Sequence, residues 1–265
     1  MTEVSPTPVL NESIKKRSEV ELQNPLDWNH KRVNLSDAFA KAACKSLRFV
    51  ADLFFRKRYG HRAVVLETVA AVPGTVAGAL THFKSLRDME DDQGWIRQLW
   101  DEAENERMHL MTFIEVAKPN LLERAIILGT QGLFLTAFSI AYMINPRTMH
   151  RFVGYMEEEA VKSYTEYLAE IDAGRIENVD APQIAKEYWS LPDGAKLRDV
   201  VIAVRNDEAE HRDVNHAFAE EFDVRKSARK ENRKAKRKEA FAALRAKLNF
   251  RPKPKAKPKP PQPAA

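Results

Sequence analysis

The sequence predicts an all-α protein: a ferritin-like four-helix bundle holding a di-iron site, with two extra membrane-associated helices. Three observations carry this. The composition is rich in Ala, Leu, Glu, Lys and Arg, with only nine glycines in 265 residues. Apolar residues recur at helical spacing in six long segments. Glu-x-x-His occurs twice, with a further core-phased glutamate ahead of each copy.

Residues 1–35 are polar and proline-bearing with no sustained apolar period, so they read as an arm, anchored by Trp28. Asp37 to Arg58 reads as a basic amphipathic helix with Phe39, Ala43, Leu47, Val50 and Phe54 on one stripe. Such a stripe either covers the core or lies in a membrane interface. Residues 61–86 form a helix apolar almost all round, and so buried, with a kink expected at Pro73-Gly74. The third helix, about 94–116, stops before Pro119. The fourth, 121–144, is the most apolar stretch and long enough to cross a bilayer, roughly 20 residues. Its Gln131, Gly129 and Gly132, with Glu123 and Arg124 at its start, fit a membrane-lying or core helix at least as well. Helices at about 146–173 and 194–222 follow, joined by a loop.

The formal charge of +5 is a property of the tail. Residues 225–265 hold sixteen Lys and Arg against two Glu, leaving −9 for residues 1–224. We therefore expect an arm over 1–35, a helical domain over 36–223, and a basic Lys/Pro-rich tail over 224–265. That tail starts as a charged helix candidate and ends in about fifteen disordered residues. Its charge suits anionic lipid. Without interleaved aromatics or a known module, nucleic acid is not expected as a partner. The single cysteine, Cys44, excludes an internal disulfide framework and any multi-cysteine metal site.

On a helix, residues three apart share a face, so Glu106 with His109 and Glu208 with His211 can each grip a metal ion. Glu67 and Glu157 complete the order Glu, Glu-x-x-His, Glu, Glu-x-x-His, the donor set of di-iron carboxylate bundles. Phase picks Glu157 from its neighbours: His150, Val153, Val161, Tyr164 and Leu168 share its stripe, whereas Glu158 and Glu159 fall progressively off it. Four buried carboxylates need compensating cations, which a buried network of Arg or Lys would otherwise have to supply. Oxygen and imidazole donors without thiolate suit iron, manganese or zinc. Tyr164, two turns past Glu157, is placed to pass an electron or proton, or else is a core tyrosine. Asn105 and Asp207 are placed to orient the histidine rings, or else face solvent.

The stretches LETVAAVPG (66–74), EAENERMHLMTF (102–113), RFVGYMEEEAV (151–161) and DEAEHRDVNH (207–216) closely resemble the alternative oxidases, from about Asn24 to Phe222. The resemblance implies a cyanide-insensitive enzyme with two non-heme iron ions. It would oxidise ubiquinol to ubiquinone and reduce dioxygen to water without pumping protons, as a homodimer bound to one leaflet. It carries the six ligands over onto Glu67, Glu106, His109, Glu157, Glu208 and His211, and a redox role onto Tyr164. Asn105, Asp207, Tyr188, Trp189 and His150 match residues around the site or at the dimer contact. A quinol pocket is implied at Arg62, Leu66, Glu159, Ala160 and Ser163, with Arg48 and Asp52 as a charged pair near its mouth. Ser163 and the VAG at 76–78 depart from the family pattern at positions that do not touch the metals. Cys44 stands outside any leader, so thiol regulation of the plant kind is not expected. No transit peptide is visible, which points to the cytoplasmic face of a bacterial inner membrane ahead of the matrix side of the mitochondrial one. An iron-storing bundle and a quinone-ring hydroxylase are the competing readings; the apolar segment 125–144 argues against storage.

Overall fold

The computed structural model describes residues 24–55 and 58–248. Among these are seven helices and no strand: α1 Leu35–Phe55, α2 Tyr59–Asp88, α3 Trp95–Ala117, α4 Leu121–Ile144, α5 Pro146–Asp172, α6 Gln183–Tyr188 and α7 Leu197–Leu248. The expected disordered end and residues 1–23 of the arm lie outside the described residues. The chain divides into two compact units, Met1–Glu220 and Glu221–Ala265.

Local chemistry sets the helix ends. Met89 and Lys118 close α2 and α3 in the left-handed conformation, Lys118 just before Pro119. Asn120 and Glu123 form a reciprocal capping box at the start of α4. The Asn145 side chain caps α5, with Pro146 at the first helical position.

In the first unit α2, α3, α5 and the first part of α7 surround one core that includes Val64, Phe113, Tyr164, Leu168, Val200 and Val204. The pair Pro73-Gly74 does not break α2, which runs through it. Both residues are buried there. A Cβ at Gly74 would stand 2.5 Å from the Leu99 carbonyl oxygen and 3.1 Å from Ala103, so the missing side chain lets α2 and α3 touch backbone to backbone. Gly154 does the same for α5 and the His216 ring of α7, 2.5 Å from a hypothetical Cβ.

Two further expectations change. The 174–193 connection contains the short helix α6, pinned by the single antiparallel bridge Asp180–Lys196. The helix expected to end at Phe222 continues unbroken to Leu248, because no Gly or Pro interrupts the Ala-, Lys- and Arg-rich sequence that follows.

Several side chains dock the arm, among them Arg212, Asp213 and Glu158. Fully buried Arg212 donates to the carbonyl oxygens of Asn24, Pro25, Leu26 and Trp28 at 3.0–3.3 Å, and its guanidinium lies 5.3 Å from the Trp28 ring. Trp28 is thus the anchor that the sequence suggested.

Two helices turn apolar surface outward. On α1 the buried residues are Asp37, Ala40 and Cys44, while Phe39, Leu47, Phe49, Val50 and Leu53 are 46–69% exposed. The apolar stripe therefore faces away from the core. Only 11% of the most apolar window of α4 is buried, against 67% for the comparably apolar α2. By length and composition both α2 and α4 could cross a membrane; α2 is instead largely inside the bundle.

Candidate metal centre

Four helices each bring an acid to the middle of the bundle: Glu67 from α2, Glu106 and His109 from α3, Glu157 from α5, and Glu208 and His211 from α7. All six residues are at most 8% exposed, His109 fully buried. Ligand-capable atoms of Glu67, Glu106, His109 and Glu208 lie within 4.8 Å of one another. His211 Nδ1 joins them at 2.7 Å from Glu106 Oε1. Glu157 borders this group through Glu208, whose carboxylate it meets, and lines the cavity described below.

Such crowding of acids has an electrostatic signature. Burial and then the neighbouring Glu67 charge push Glu106 up to about 8, and burial with the charge of Glu106 pushes Glu208 to about 7. Burial and Glu208 hold Glu157 well above the carboxylate range. Glu67 alone lies below it: hydrogen bonding and charge from His109 outweigh its desolvation.

The fit to a metal shows in what these atoms lack. Glu67 Oε2, both Glu106 oxygens, Glu208 Oε2, His109 Nδ1 and His211 Nδ1 are buried without a well-aligned hydrogen bond, close as some of them stand to one another. An unpaired buried polar atom costs about 1–3 kcal/mol, and six in one place are tolerable only beside a cation. Hard oxygen donors mixed with imidazole suit iron, manganese or zinc.

The His109 ring is oriented from behind. His109 Nε2 meets Asp207 Oδ2 at 3.1 Å, which leaves Nδ1 facing Glu67, Glu106 and Glu208 at 3.3–3.4 Å. The same Asp207 oxygen accepts from Asn105 Nδ2 at 2.9 Å and from Trp189 Nε1 at 2.8 Å. Tyr188 accepts from Asn105, and the Trp189 ring stacks on His109. His150 is not in this group. It bridges Tyr142 and Asn215 at 3.0 Å each, a further step from the acids.

Tyr164 donates to Glu67 Oε1 and stacks on Phe113. Burial and the nearby carboxylates keep its hydroxyl protonated, well above its ordinary pKa. It stands between the acids and a cavity of about 340 Å³. Of the residues expected to line a quinol pocket, Arg48, Arg62, Leu66, Glu159, Ala160 and Ser163 do line this cavity, together with Leu47 and Val50 of α1 and Ile126, Thr130 and Phe134 of α4. Asp52 does not. It sits behind, pairing with Arg48 at 2.8 Å and with Arg62. A larger open groove of about 1220 Å³ along α2, α3 and α4 includes none of the six metal-site residues.

Two acids depart from the sequence reading. Glu158, placed off the buried stripe, is buried as well, on the arm side, where it takes Lys41 at 3.3 Å, the His30 amide at 2.7 Å and His216 at 3.2 Å. Glu102 was passed over although it precedes Glu106 by one helical turn. It is buried, held by the Asn215 amide at 2.9–3.0 Å, and raised to about 7 by burial.

Comparison with known proteins agrees with this geometry. The family pattern described as Alternative oxidase matches residues 17–220. The chain belongs to the alternative oxidase family. Among its relatives, Ubiquinol oxidase 2, mitochondrial, from Nicotiana tabacum is 57% identical over 196 residues, covering 74% of this chain and 66% of the relative. Ubiquinol oxidase 1c, mitochondrial, from Arabidopsis thaliana is 60% identical over 191 residues, covering 72% and 58%. Ubiquinol oxidase, mitochondrial, from Batrachochytrium dendrobatidis is 58% identical over 188 residues, covering 71% and 60%. The chain thus spans 58–66% of the length of these alternative oxidase relatives.

Proposed function

We propose that this chain is a cyanide-insensitive ubiquinol oxidase that converts ubiquinol to ubiquinone and dioxygen to water at a non-heme di-iron carboxylate centre, without pumping protons. One observation carries the reading: a single cavity joins the outward apolar helices α1 and α4 to the buried acids at Tyr164, Glu67, Glu157 and Glu208. A lipid-soluble reductant and an oxygen-reducing centre need that connection.

Glu67, Glu106, His109, Glu157, Glu208 and His211 would hold two iron ions, which supply the electron-transfer capacity for reducing dioxygen when bound. The other roles belong to the protein. Leu47, Val50, Leu66 and Phe134 give the quinol ring and the start of its tail an apolar bed, while Arg62, Glu159 and Ser163 offer partners to its two hydroxyls. Arg62 is fixed by Asp52, and Arg48 by Asp52, Glu159 and Glu166, so the charged groups at the mouth are held before substrate arrives. The Tyr164 hydroxyl keeps a proton at Glu67 Oε1, between the quinol bed and the acids. Asp207 fixes the His109 ring.

The exposed apolar faces of α1 and α4 support association with one leaflet of a bilayer. Phe83, Leu86 and Trp100, exposed along α2 and α3, are surface that a second copy would cover in a homodimer. The relatives compared are named mitochondrial, which favours a mitochondrial membrane over the bacterial one expected from the sequence.

The test is oxygen uptake by iron-replete protein in membranes supplied with ubiquinol and cyanide. Uptake with ubiquinone as product supports the proposal. No uptake overturns it, as does a hydroxylated quinone among the products.

A further inference from the structure

The distal part of α7 lies past the residues matched to the family and belongs to the second compact unit. From Lys226 to Leu244 every described side chain is exposed. At 3.6 residues per turn its charges are sorted by face. Lys226, Lys230, Arg233, Arg237, Phe241 and Leu244 follow one another at steps of three and four residues and so form one stripe. Lys234 and Lys236 flank this stripe, and the opposite one is Ala228, Glu231, Ala235, Glu239 and Ala242, which carries both acids found after Asp223 and has Lys238 at its edge.

This is not how a freely solvated helix distributes charge. Such a helix gains most from a base four residues after each acid, yet Ala235 and Ala243 stand there, leaving the two acids only Lys234 and Lys236 at three-residue spacing among a large excess of bases. Aligned Lys and Arg repel one another, an expense that an anionic surface removes. At the far end of the stripe Phe241 and Leu244 are 69% and 55% exposed. Phosphates of a nucleic acid have no use for that apolar pair, whereas a membrane interface does.

We propose that the Lys226–Leu244 face of α7 docks on an anionic lipid surface, the basic stripe meeting headgroups and Phe241 and Leu244 entering the interface below them. Five more Lys and Arg in residues 249–265 add to the same attraction. The contact is independent of quinol chemistry and adds to the uncharged attachment through α1 and α4.

The experiment is co-sedimentation of the full chain with vesicles of phosphatidylcholine alone and of phosphatidylcholine with phosphatidylglycerol. Binding to neutral vesicles reads the apolar helices, and the ratio of anionic to neutral partitioning reads α7. We expect an anionic preference of about tenfold or more at low salt, falling as salt is raised. The combined substitution Lys226→Gln, Lys230→Gln, Arg233→Gln and Arg237→Gln, which keeps good helix formers, should bring the ratio toward one. Ala228→Gln with Ala235→Gln and Ala242→Gln should leave it unchanged. The proposal is overturned if the full chain shows no anionic preference or if the four-site variant keeps it. It is equally overturned if the alanine-face variant loses the preference as fully, or if duplex DNA at equal phosphate strips the chain from anionic vesicles. Oxygen uptake in detergent, measured alongside, judges the oxidase reading separately.

Discussion

Two adjacent glutamates on α5 are both buried and face different chemistries. Glu157 meets other acids, while Glu158 meets Lys41, His216 and the arm. Glu157→Ala is therefore expected to lower iron content and abolish oxygen uptake, whereas Glu158→Ala should keep iron and loosen the arm. Metal analysis beside limited proteolysis of the two variants separates these outcomes; iron lost only from the Glu158 variant would reverse the assignment. Asp207→Asn removes the charge that fixes the His109 ring, and should cost about 10- to 100-fold in iron affinity or activity. Tyr164→Phe removes only the hydroxyl that bridges to Glu67, so iron should remain while turnover fails. The burial of Glu67, Glu106, His109, Glu157, Glu208 and His211 was legible in the sequence because helical phase puts these side chains among apolar neighbours. Glu158 was misread for a related reason: phase finds one buried face, whereas α5 is packed on both sides, by the bundle and by α1 with the arm. Glu102 shares the Glu106 face and could have been found by the same spacing rule.

Helix boundaries on α1 to α5 were readable to within a few residues because caps and prolines mark them. The purpose of the Pro73-Gly74 pair inside α2 was not, since it reads as a kink until the partner helix that needs the glycine is known. Gly74→Ala should push α2 off α3 and cost about 1–3 kcal/mol, seen as a lower Tm. Beyond Trp28, the arm's docking was also invisible, because Arg212 bonds to carbonyls whose side chains carry no signal. That docking should be pH-sensitive through His216, whose ring packs against Trp28 and His30. His216 accepts from Arg151 through Nδ1 at 2.8 Å and meets Glu158 through Nε2, and burial chiefly pulls its pKa down to about 4. Between about pH 6.5 and 4 the unfolded chain takes up a proton that the folded imidazole refuses, so stability is full above 6.5 and falls through that window. A depression of this size is linked to up to about 3 kcal/mol. His216→Gln should flatten the acid limb of a stability profile measured by denaturant titration; an unchanged slope would place the sensitivity elsewhere.

For the whole molecule, the question is which surface the proposed membrane attachment would use. Hydropathy picked out α4 and amphipathicity picked out α1, but neither could say which way the apolar residues turn; on α1 the core-covering alternative remained open. The fold answers it with outward side chains: Phe49 and Leu53 are 68% and 66% exposed, and Leu133 of α4 is 74% exposed. Leaving such groups in water forfeits about 1.5–3 kcal/mol per side chain that burial in lipid would return. None of the three lines the cavity, so their removal can be read apart from quinol binding. Phe49→Gln, Leu53→Gln and Leu133→Gln together should lower partitioning into neutral vesicles by about a hundredfold or more, while the detergent-solubilised enzyme still oxidises a short-tailed quinol. If partitioning holds while all three are polar, the attachment does not run through these faces, and the cavity between α1 and α4 would need another source for its substrate. If partitioning and soluble turnover fall together, the substitutions have reached the bundle instead, because a surface that only docks leaves Glu67, Tyr164 and the acids behind them where they were.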